Sequence, residues 1–335
     1  MDILVIGGGG REHAICWSLK RSKQCGKLYC MPGNAGISEV AECVNIGVME
    51  FDKILDFLNK NQNIKLTVVA PDDPLASGLV DLLEKNGHRA FGPHANAAII
   101  EGSKAFSKQL MKKYNIPTAN YEEFVNYDKA IKYLDNCNFP LVVKADGLAL
   151  GKGVIICQNR VEAEVAIKEM LIENKFAQAG NKIIIEEFLK GKEVSILAFT
   201  DGKTIYPMVS SQDHKRALDN DEGLNTGGMG TFSPSKFYTP QMAKRVFAEV
   251  IIPTIKAMEN EGRLFKGVLY FGLMIDGDDI KVLEYNARFG DPETQVVLPR
   301  LKTDLIDIFE AIIDGTLDKI NVEWEDNCCV CVILA

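Results

Sequence analysis

The stretch Lys281-Val-Leu-Glu-Tyr-Asn-Ala-Arg-Phe-Gly-Asp-Pro-Glu293 places Glu284, Asn286 and Arg288 at alternate positions of an apolar run. If the run is a buried strand, those three side chains share one face. A carboxylate, an amide oxygen and a guanidinium on one face, closed by a Gly-Asp-Pro turn, can hold a hard metal ion through oxygens and a phosphate through a planar cation. The pattern suits ATP chemistry. The plain alternative is a strand with one solvated polar face, and the rest of the chain decides between the two.

Composition narrows the field. The chain has 335 residues, 47% of them hydrophobic, which is enough for two or three domains with cores of their own. A net charge of -8 without an extended Lys/Arg run argues against a nucleic-acid or acidic-membrane partner and for small-molecule substrates. Met1-Asp-Ile-Leu-Val-Ile enters a strand directly, and no apolar run reaches the ~18 residues of a membrane span, so a cytoplasmic location is expected. The nine cysteines are an odd number and sit mostly in apolar stretches, as buried thiols of a reducing compartment do. Cys328 and Cys331 form a C-x-x-C with no second pair to complete a metal site.

Working back from that stretch, the first hundred residues read as a parallel α/β sheet. Short apolar runs at 2–6, 27–31 and 65–70 alternate with helical patterns at 11–21, 52–61 and 74–86. A helix from Ser103 to Tyr114 leads into strands near 139–145, 153–157 and 182–188, with a helix over 160–174. Strands near 193–200 and 204–210, a polar glycine-rich loop over 212–233, a long helix over 240–261, strands at 266–276 and 279–285 and a helix over 303–314 follow. Ligands of parallel sheets collect at the carboxyl ends of the strands, here Gly7 to Glu12, Pro32 to Gly36 and Ala70 to Pro74.

The glycine-rich loops exclude two common readings. The dinucleotide spacing G-x-G-x-x-G fails, because counting from Gly7 ends on Glu12 and counting from Gly8 ends on His13. What remains is a helix N-terminus whose amides face an anion, with Arg11 beside them, read here as a substrate phosphate site; a tight turn that needs glycine is the alternative. The loop Lys144 to Val154 is no Walker loop, since Gly153 stands where a serine or threonine is required and the loop joins two strands. A hairpin with a glycine-rich tip can close over ATP phosphates, Lys144 pointing in from its first strand and Lys152 from its tip; a plain surface hairpin is the alternative. Downstream, Ile183 to Leu189 is an apolar strand that turns acidic, and backbone groups of such a crossover can pair with adenine while an acid accepts from ribose.

In series, a lysine strand, a glycine flap, an acidic crossover and an E-x-N-x-R strand appear in the order of an ATP-grasp nucleotide site. The chain resembles the glycinamide ribonucleotide synthetases (phosphoribosylamine-glycine ligases) from residue 1 to 335. The resemblance is carried by Gly8 to Ala14, Pro32 to Gly36, Glu101 to Phe106, Val143 to Ala149, Gly151 to Val154, Glu186 to Leu189, Ser211 to Arg216, Asn225 to Gly230 and Glu284 to Glu293. It implies an α/β fold with an N-terminal parallel-sheet (pre-ATP-grasp) domain over 1–103, a two-lobed ATP-grasp domain over 104–327 with a flap at about 120–192, and the start of a truncated C-terminal domain over 328–335.

The implied reaction joins glycine to 5-phosphoribosylamine at the expense of ATP through a glycyl phosphate, giving glycinamide ribonucleotide, ADP and phosphate. The resemblance assigns Lys144, Arg288 and Asp213 to catalysis. ATP would meet Lys104, Lys144, Gly151, Lys152, Gly153, Glu186, Glu187, Phe188, Leu189 and Glu193. Substrates would meet Gly9, Gly10, Arg11, Glu12, Asn34, Asp213, Lys215, Thr226, Gly227 and Arg288. Glu284 and Asn286 would hold magnesium or manganese. A monomer or weak homodimer with no nucleic-acid or membrane partner is expected.

Two departures stand out. Asp72 occupies a position where the family usually has Glu, so any ligand contact there is expected through water. The chain stops inside what reads as a first strand of a further small domain, so an unpaired apolar edge over 328–335 is an expected aggregation risk. The alternatives are another ATP-grasp carboxylate-amine ligase, or a nucleotide-binding fragment without turnover.

Overall fold

The computed structural model describes residues 1–148, 153–173, 175–219 and 222–334. By packing, these form two units: Met1–Ala98, Val194–Phe271 and Asn286–Ala335 make the larger, and Ile99–Glu193 with Gly272–Tyr285 the smaller. Among the described residues no helix is long and apolar enough to cross a membrane.

The larger unit opens on a five-stranded sheet of β1 (Asp2–Gly7), β2 (Leu28–Pro32), β3 (Glu42–Cys43), β4 (Ile64–Val69) and β5 (Ala90–Phe91), in the order β3-β2-β1-β4-β5. All pairings are parallel, with Ile6 opposite Met31 on one side and Val69 on the other. Strands covered on both faces need apolar residues at every position, and Ile3, Leu4, Val5 and Ile6 are all fully buried. The chain leaves β1 toward β2 and later returns to its other side as β4, so the order reverses beside β1. Ligand crevices form at the carboxyl ends of strands at such a reversal, and the glycine loop leaves β1 there. The helical run expected over 74–86 is split into Asp72–Ala76 and Leu79–Lys85, because Gly78 turns left-handed at φ +85°.

The smaller unit carries β6 (Tyr121–Phe124), β7 (Leu141–Ala145), β8 (Val154–Cys157) and β9 (Ile183–Glu187), antiparallel in the order β6-β9-β7-β8. Its sheet packs on the helix Arg160–Leu171 through a core that includes Val143, Ile167, Met170 and Ile185. The β7–β8 pairing, Lys144 opposite Val154, confirms the hairpin read in the sequence.

Strands β10 (Lys192–Thr200) and β11 (Ile205–Pro207) come next. The stretch 212–233, read as a loop, is largely stranded: β12 (Gln212–Asp213), β13 (Arg216–Leu218), β14 (Glu222–Asn225) and β15 (Gly230–Ser233). Strands β13 and β14 form a hairpin, and β12 pairs with β15. Gln212 pairs with Phe232, well separated from it in the chain, and few apolar residues mark either pairing in the sequence. Strands β16 (Gly267–Asp276) and β17 (Asp279–Asn286) follow, neighbours in the order β11-β10-β16-β17.

Strand β18 (Cys329–Val332) lies antiparallel to β15, Gly230 opposite Val332 and Ser233 opposite Cys329. The terminal apolar run is paired with β15 along one edge, and β18 stands last in the order β12-β15-β18. The larger unit's core closes around Phe91, Phe289 and Phe309, with the first and last rings stacked at 3.8 Å between centroids. Full burial of each such ring stabilises the unit by about 2 kcal/mol.

Candidate functional site

In the larger unit, the loop after β1 leads into the helix Gly10–Lys20. Glu12 folds back beneath the loop: its Oε2 accepts from the Gly9 amide at 2.7 Å and its Oε1 from Arg11 Nε at 2.6 Å. Arg11 also donates to the Phe289 carbonyl at 3.3 Å. Arg11 and Glu12 are 8% and 2% exposed, so the pair braces the loop from within. The guanidinium expected to face an anion points instead to a carboxylate and a carbonyl. Asn34 fastens the next loop to this one, its Nδ2 donating to the Gly8 carbonyl at 3.0 Å and its Oδ1 accepting from the Ile37 amide at 2.8 Å.

Two neighbours of the loop escape a sequence reading. A Cβ on Gly10 would lie 2.7 Å from Gln295 Nε2, and one on Gly9 would lie 3.5 Å from Asp291 Oδ2. Gln295 Nε2 in turn donates to Asp291 Oδ1 at 2.7 Å. The Gly-Asp-Pro turn read as a strand closure therefore faces the glycine loop. Nearby, a Cβ on Gly228 would come within 2.6 Å of Pro292 Cδ and 3.0 Å of Asp213 Oδ1. Lys215 anchors this segment through its carbonyl, which accepts from the Thr226 amide at 2.6 Å and hydroxyl at 2.9 Å. The Gly228 amide donates to the same hydroxyl at 3.1 Å. The larger unit thus gathers Gly9, Gly10, Asp213, Gly228, Asp291 and Gln295 at neighbouring positions. Gly227 sits within the same exposed turn.

Strand β17 ends at Asn286, so Arg288 lies past the strand rather than on it as the alternate spacing suggested. The backbone turns off there into the Gly290-Asp291-Pro292 segment, with Ala287 and Phe289 buried. Arg288 Nη2 stands 3.9 Å from Asp72 Oδ2 and 3.5 Å from Asn286 Oδ1. The shorter Asp72 side chain therefore faces Arg288 directly.

In the smaller unit, Lys144 of β7 is 7% exposed. Its ammonium lies 3.0 Å from Glu186 Oε2 and 3.2 Å from the Leu283 carbonyl. Lys104, at the start of the helix Lys104–Lys113, donates to the Gly147 carbonyl at 3.0 Å. Burial lowers the pKa of Lys104, with Glu284, Asp146 and Glu101 acting against the shift and Lys144 with it. Asp146 clamps the base of the hairpin to that helix, its Oδ1 accepting from Ala105 N at 2.7 Å and Ser103 Oγ at 3.0 Å.

Glu187 is tied to Asn120 N at 3.0 Å, Asn120 Nδ2 at 3.1 Å and Lys281 Nζ at 2.9 Å. Its pKa is lowered; burial pushes upward and is outweighed by these partners. Phe188 and Leu189 follow β9 half-buried, Glu193 is exposed on β10, and Gly153 is buried beside β8. Gly151 and Lys152 lie outside the described residues.

A residue the sequence reading missed is Lys108, only 2% exposed, with its ammonium 3.1 Å from Glu186 Oε2. Its signal was present: four residues after Lys104, it lies on the same helix face. With Lys112 and Lys113 following, the run resembles an ordinary solvated face.

Glu284 and Asn286 supply a carboxylate and an amide oxygen two positions apart on β17. An all-oxygen pair suits a hard divalent ion whose other positions go to phosphates and water.

The chain matches the family described as phosphoribosylglycinamide synthetase, N domain, over residues 1–101, and its ATP-grasp (A) domain over 102–294. Fold and site thereby define an ATP-dependent ligase of the ATP-grasp class. It is 48% identical to the phosphoribosylamine--glycine ligase of Halalkalibacterium halodurans over all of this chain and 78% of that protein. Against the enzyme of the same name from Caldanaerobacter subterraneus the identity is 48%, over all of this chain and 80% of the relative. The crystal structure of the Thermotoga maritima phosphoribosylamine--glycine ligase superposes with a TM-score of 0.87 at 32% identity, covering 100% of this chain and 80% of that one.

A more distant likeness is the biotin carboxylase domain of Hydrogenobacter thermophilus 2-oxoglutarate carboxylase, crystallised with MgADP, ADP and bicarbonate. Its TM-score is 0.73 at 17% identity, over 94% of this chain and 69% of that one, a likeness of fold alone. The chain belongs to the phosphoribosylglycinamide synthetase family.

Proposed function

We propose that the chain joins glycine to 5-phosphoribosylamine with ATP, releasing glycinamide ribonucleotide, ADP and phosphate, as a step of purine biosynthesis. The observation that carries this is the Lys144 ammonium, held on Glu186 and the Leu283 carbonyl at 9% side-chain exposure. A positioned cation of this kind serves a transferring phosphoryl group, whose charge is spread over its oxygens. The similarity of the whole of this chain to phosphoribosylamine--glycine ligases supports these substrates.

A carboxylate is a poor electrophile. Transfer of the γ-phosphoryl to a glycine carboxylate oxygen makes an acyl phosphate, which the amine of phosphoribosylamine then attacks, expelling phosphate. In this reading Lys104, Lys144, Lys152 and Arg288 bind and orient the phosphates, and the segment from Glu186 to Leu189, with Gly151, Gly153 and Glu193, binds the rest of the nucleotide. A divalent ion held by Glu284 and Asn286 would neutralise phosphate charge.

The amides of Gly9 and Gly10, braced by Arg11, Glu12 and Asn34, take the sugar phosphate. Asp213, Lys215, Thr226 and Gly227 position the glycine and the amine. Domains of 1–103, 104–327 with a flap at about 120–192, and 328–335 belong to the same reading. So do a cytoplasmic location and action as a monomer or weak homodimer on small molecules alone. The test is ADP release by purified chain with ATP, magnesium, glycine and freshly made phosphoribosylamine, each omitted in turn. ADP is expected only from the complete mixture; tight ATP binding without turnover would favour an inert nucleotide-binding chain.

A further inference from the structure

Among the buried charges that the reaction as proposed leaves unused is that of Lys108. Lys108 Nζ shares Glu186 Oε2 with Lys144, at 3.1 Å and 3.0 Å respectively. It also donates to Thr118 Oγ1 at 2.8 Å, whose hydroxyl donates to the Val282 carbonyl at 2.7 Å. The Tyr121 ring lies 5.7 Å away on β6. Glu186 Oε1 is buried and has no partner among the described residues, so both ammonium groups draw on one oxygen.

A methionine would fill the place of Lys108 without the cost of burying an ammonium. The arrangement makes sense in terms of charge. Two ammoniums on one carboxylate leave a single net positive charge; Lys144 facing Glu186 alone would form a neutral pair. We propose that Lys108 is a positioning residue for phosphoryl transfer: by sharing Glu186 it keeps the positive charge of Lys144 available to the nucleotide phosphates. This rests on the reading that Lys144 meets those phosphates.

The proton on Lys108 gives a readout that a packing role would not move. Burial lowers its pKa to about 8, Glu186 and Glu187 working against that shift and Lys144 with it. The Tyr121 hydroxyl is shifted upward by burial, then by Glu123, Glu122 and Glu186, so it stays neutral in this range. Above about 8, neutral Lys108 releases Glu186 to Lys144. The KM for ATP should then rise.

ADP release is measured with ATP varied and the other substrates saturating. Lys108→Met is expected to raise the KM for ATP about tenfold while the KM for glycine stays within about twofold. Lys108→Arg keeps the positive charge at every pH used and should hold the KM for ATP near that of the parent chain. An unmoved KM in Lys108→Met, or a KM in Lys108→Arg as high as in Lys108→Met, overturns the proposal.

Should Lys108→Met not fold, Lys108→Arg is compared with the parent chain about one pH unit either side of 8. A KM that rises with pH in the parent and stays flat in Lys108→Arg supports the proposal; the same rise in both overturns it. ADP release by the parent chain is the control. Its absence brings down the functional reading and this inference together, whereas release with an unmoved KM brings down only the inference.

Discussion

Glu284 and Asn286 stand two positions apart on β17, and a strand turns that spacing into one face. If they hold a divalent ion, Glu284→Gln keeps the shape and removes the charge. Turnover is then expected to fall about a thousandfold or more while adenine-nucleotide affinity changes little, measured by ADP release and by equilibrium binding. Unchanged turnover would remove Glu284 from the site. Arg11 belongs to a different class of residue, because it braces a loop from inside. Arg11→Met leaves Glu12 buried without its cation and should lower unfolding free energy by about 3 kcal/mol in urea titration. A loss under about 1 kcal/mol would mean that Glu12 is satisfied by the Gly9 amide alone. That Lys144 and Glu284 sit on strands was legible in the sequence, because apolar runs mark both strands. Lys108 and Asp146 were not, since only tertiary packing shows that one lysine of a basic helix is buried, or that an aspartate after a strand caps a helix far away in the chain.

The strands of the first sheet announce themselves as apolar runs, and the β7–β8 hairpin is marked by its glycine-rich tip. The β13–β14 hairpin is different. Its pairing of Leu218 with Glu222 and Arg216 with Asn225 has no hydrophobic alternation, so the segment reads as loop until its neighbours are known. Gly191 is where an element depends on one residue: φ is +139°, and a Cβ there would lie 2.4 Å from the Ile275 carbonyl oxygen. Gly191→Ala must shift backbone on both sides, and a loss of about 3 kcal/mol is expected in the same titration. A neutral substitution would mean the segment relaxes freely. The terminal strand β18 pairs with β15 on one edge and exposes Val330 and Val332, each 69% accessible. Val330→Lys should reduce self-association in light scattering while leaving the melting temperature within about 2 °C, because a lysine on an exposed edge opposes further strand pairing. Unchanged scattering would clear this edge of any role in association.

For the molecule as a whole, the parallel sheet at the start, the hairpin flap and the acidic crossover form a series that a single sequence displays in order, whereas the bracing of each loop by buried charge is visible only in three dimensions. That division explains why the reaction class was legible and the supporting residues were not. The central claim is that the glycine carboxylate is phosphorylated before the amine attacks. It is tested most directly by running the complete reaction with glycine whose carboxyl oxygens are both 18O and analysing the released phosphate by mass spectrometry. Transfer through glycyl phosphate leaves one glycine oxygen on the phosphorus, so phosphate carrying a single 18O is expected. Phosphate released in step with product but free of label would contradict the account.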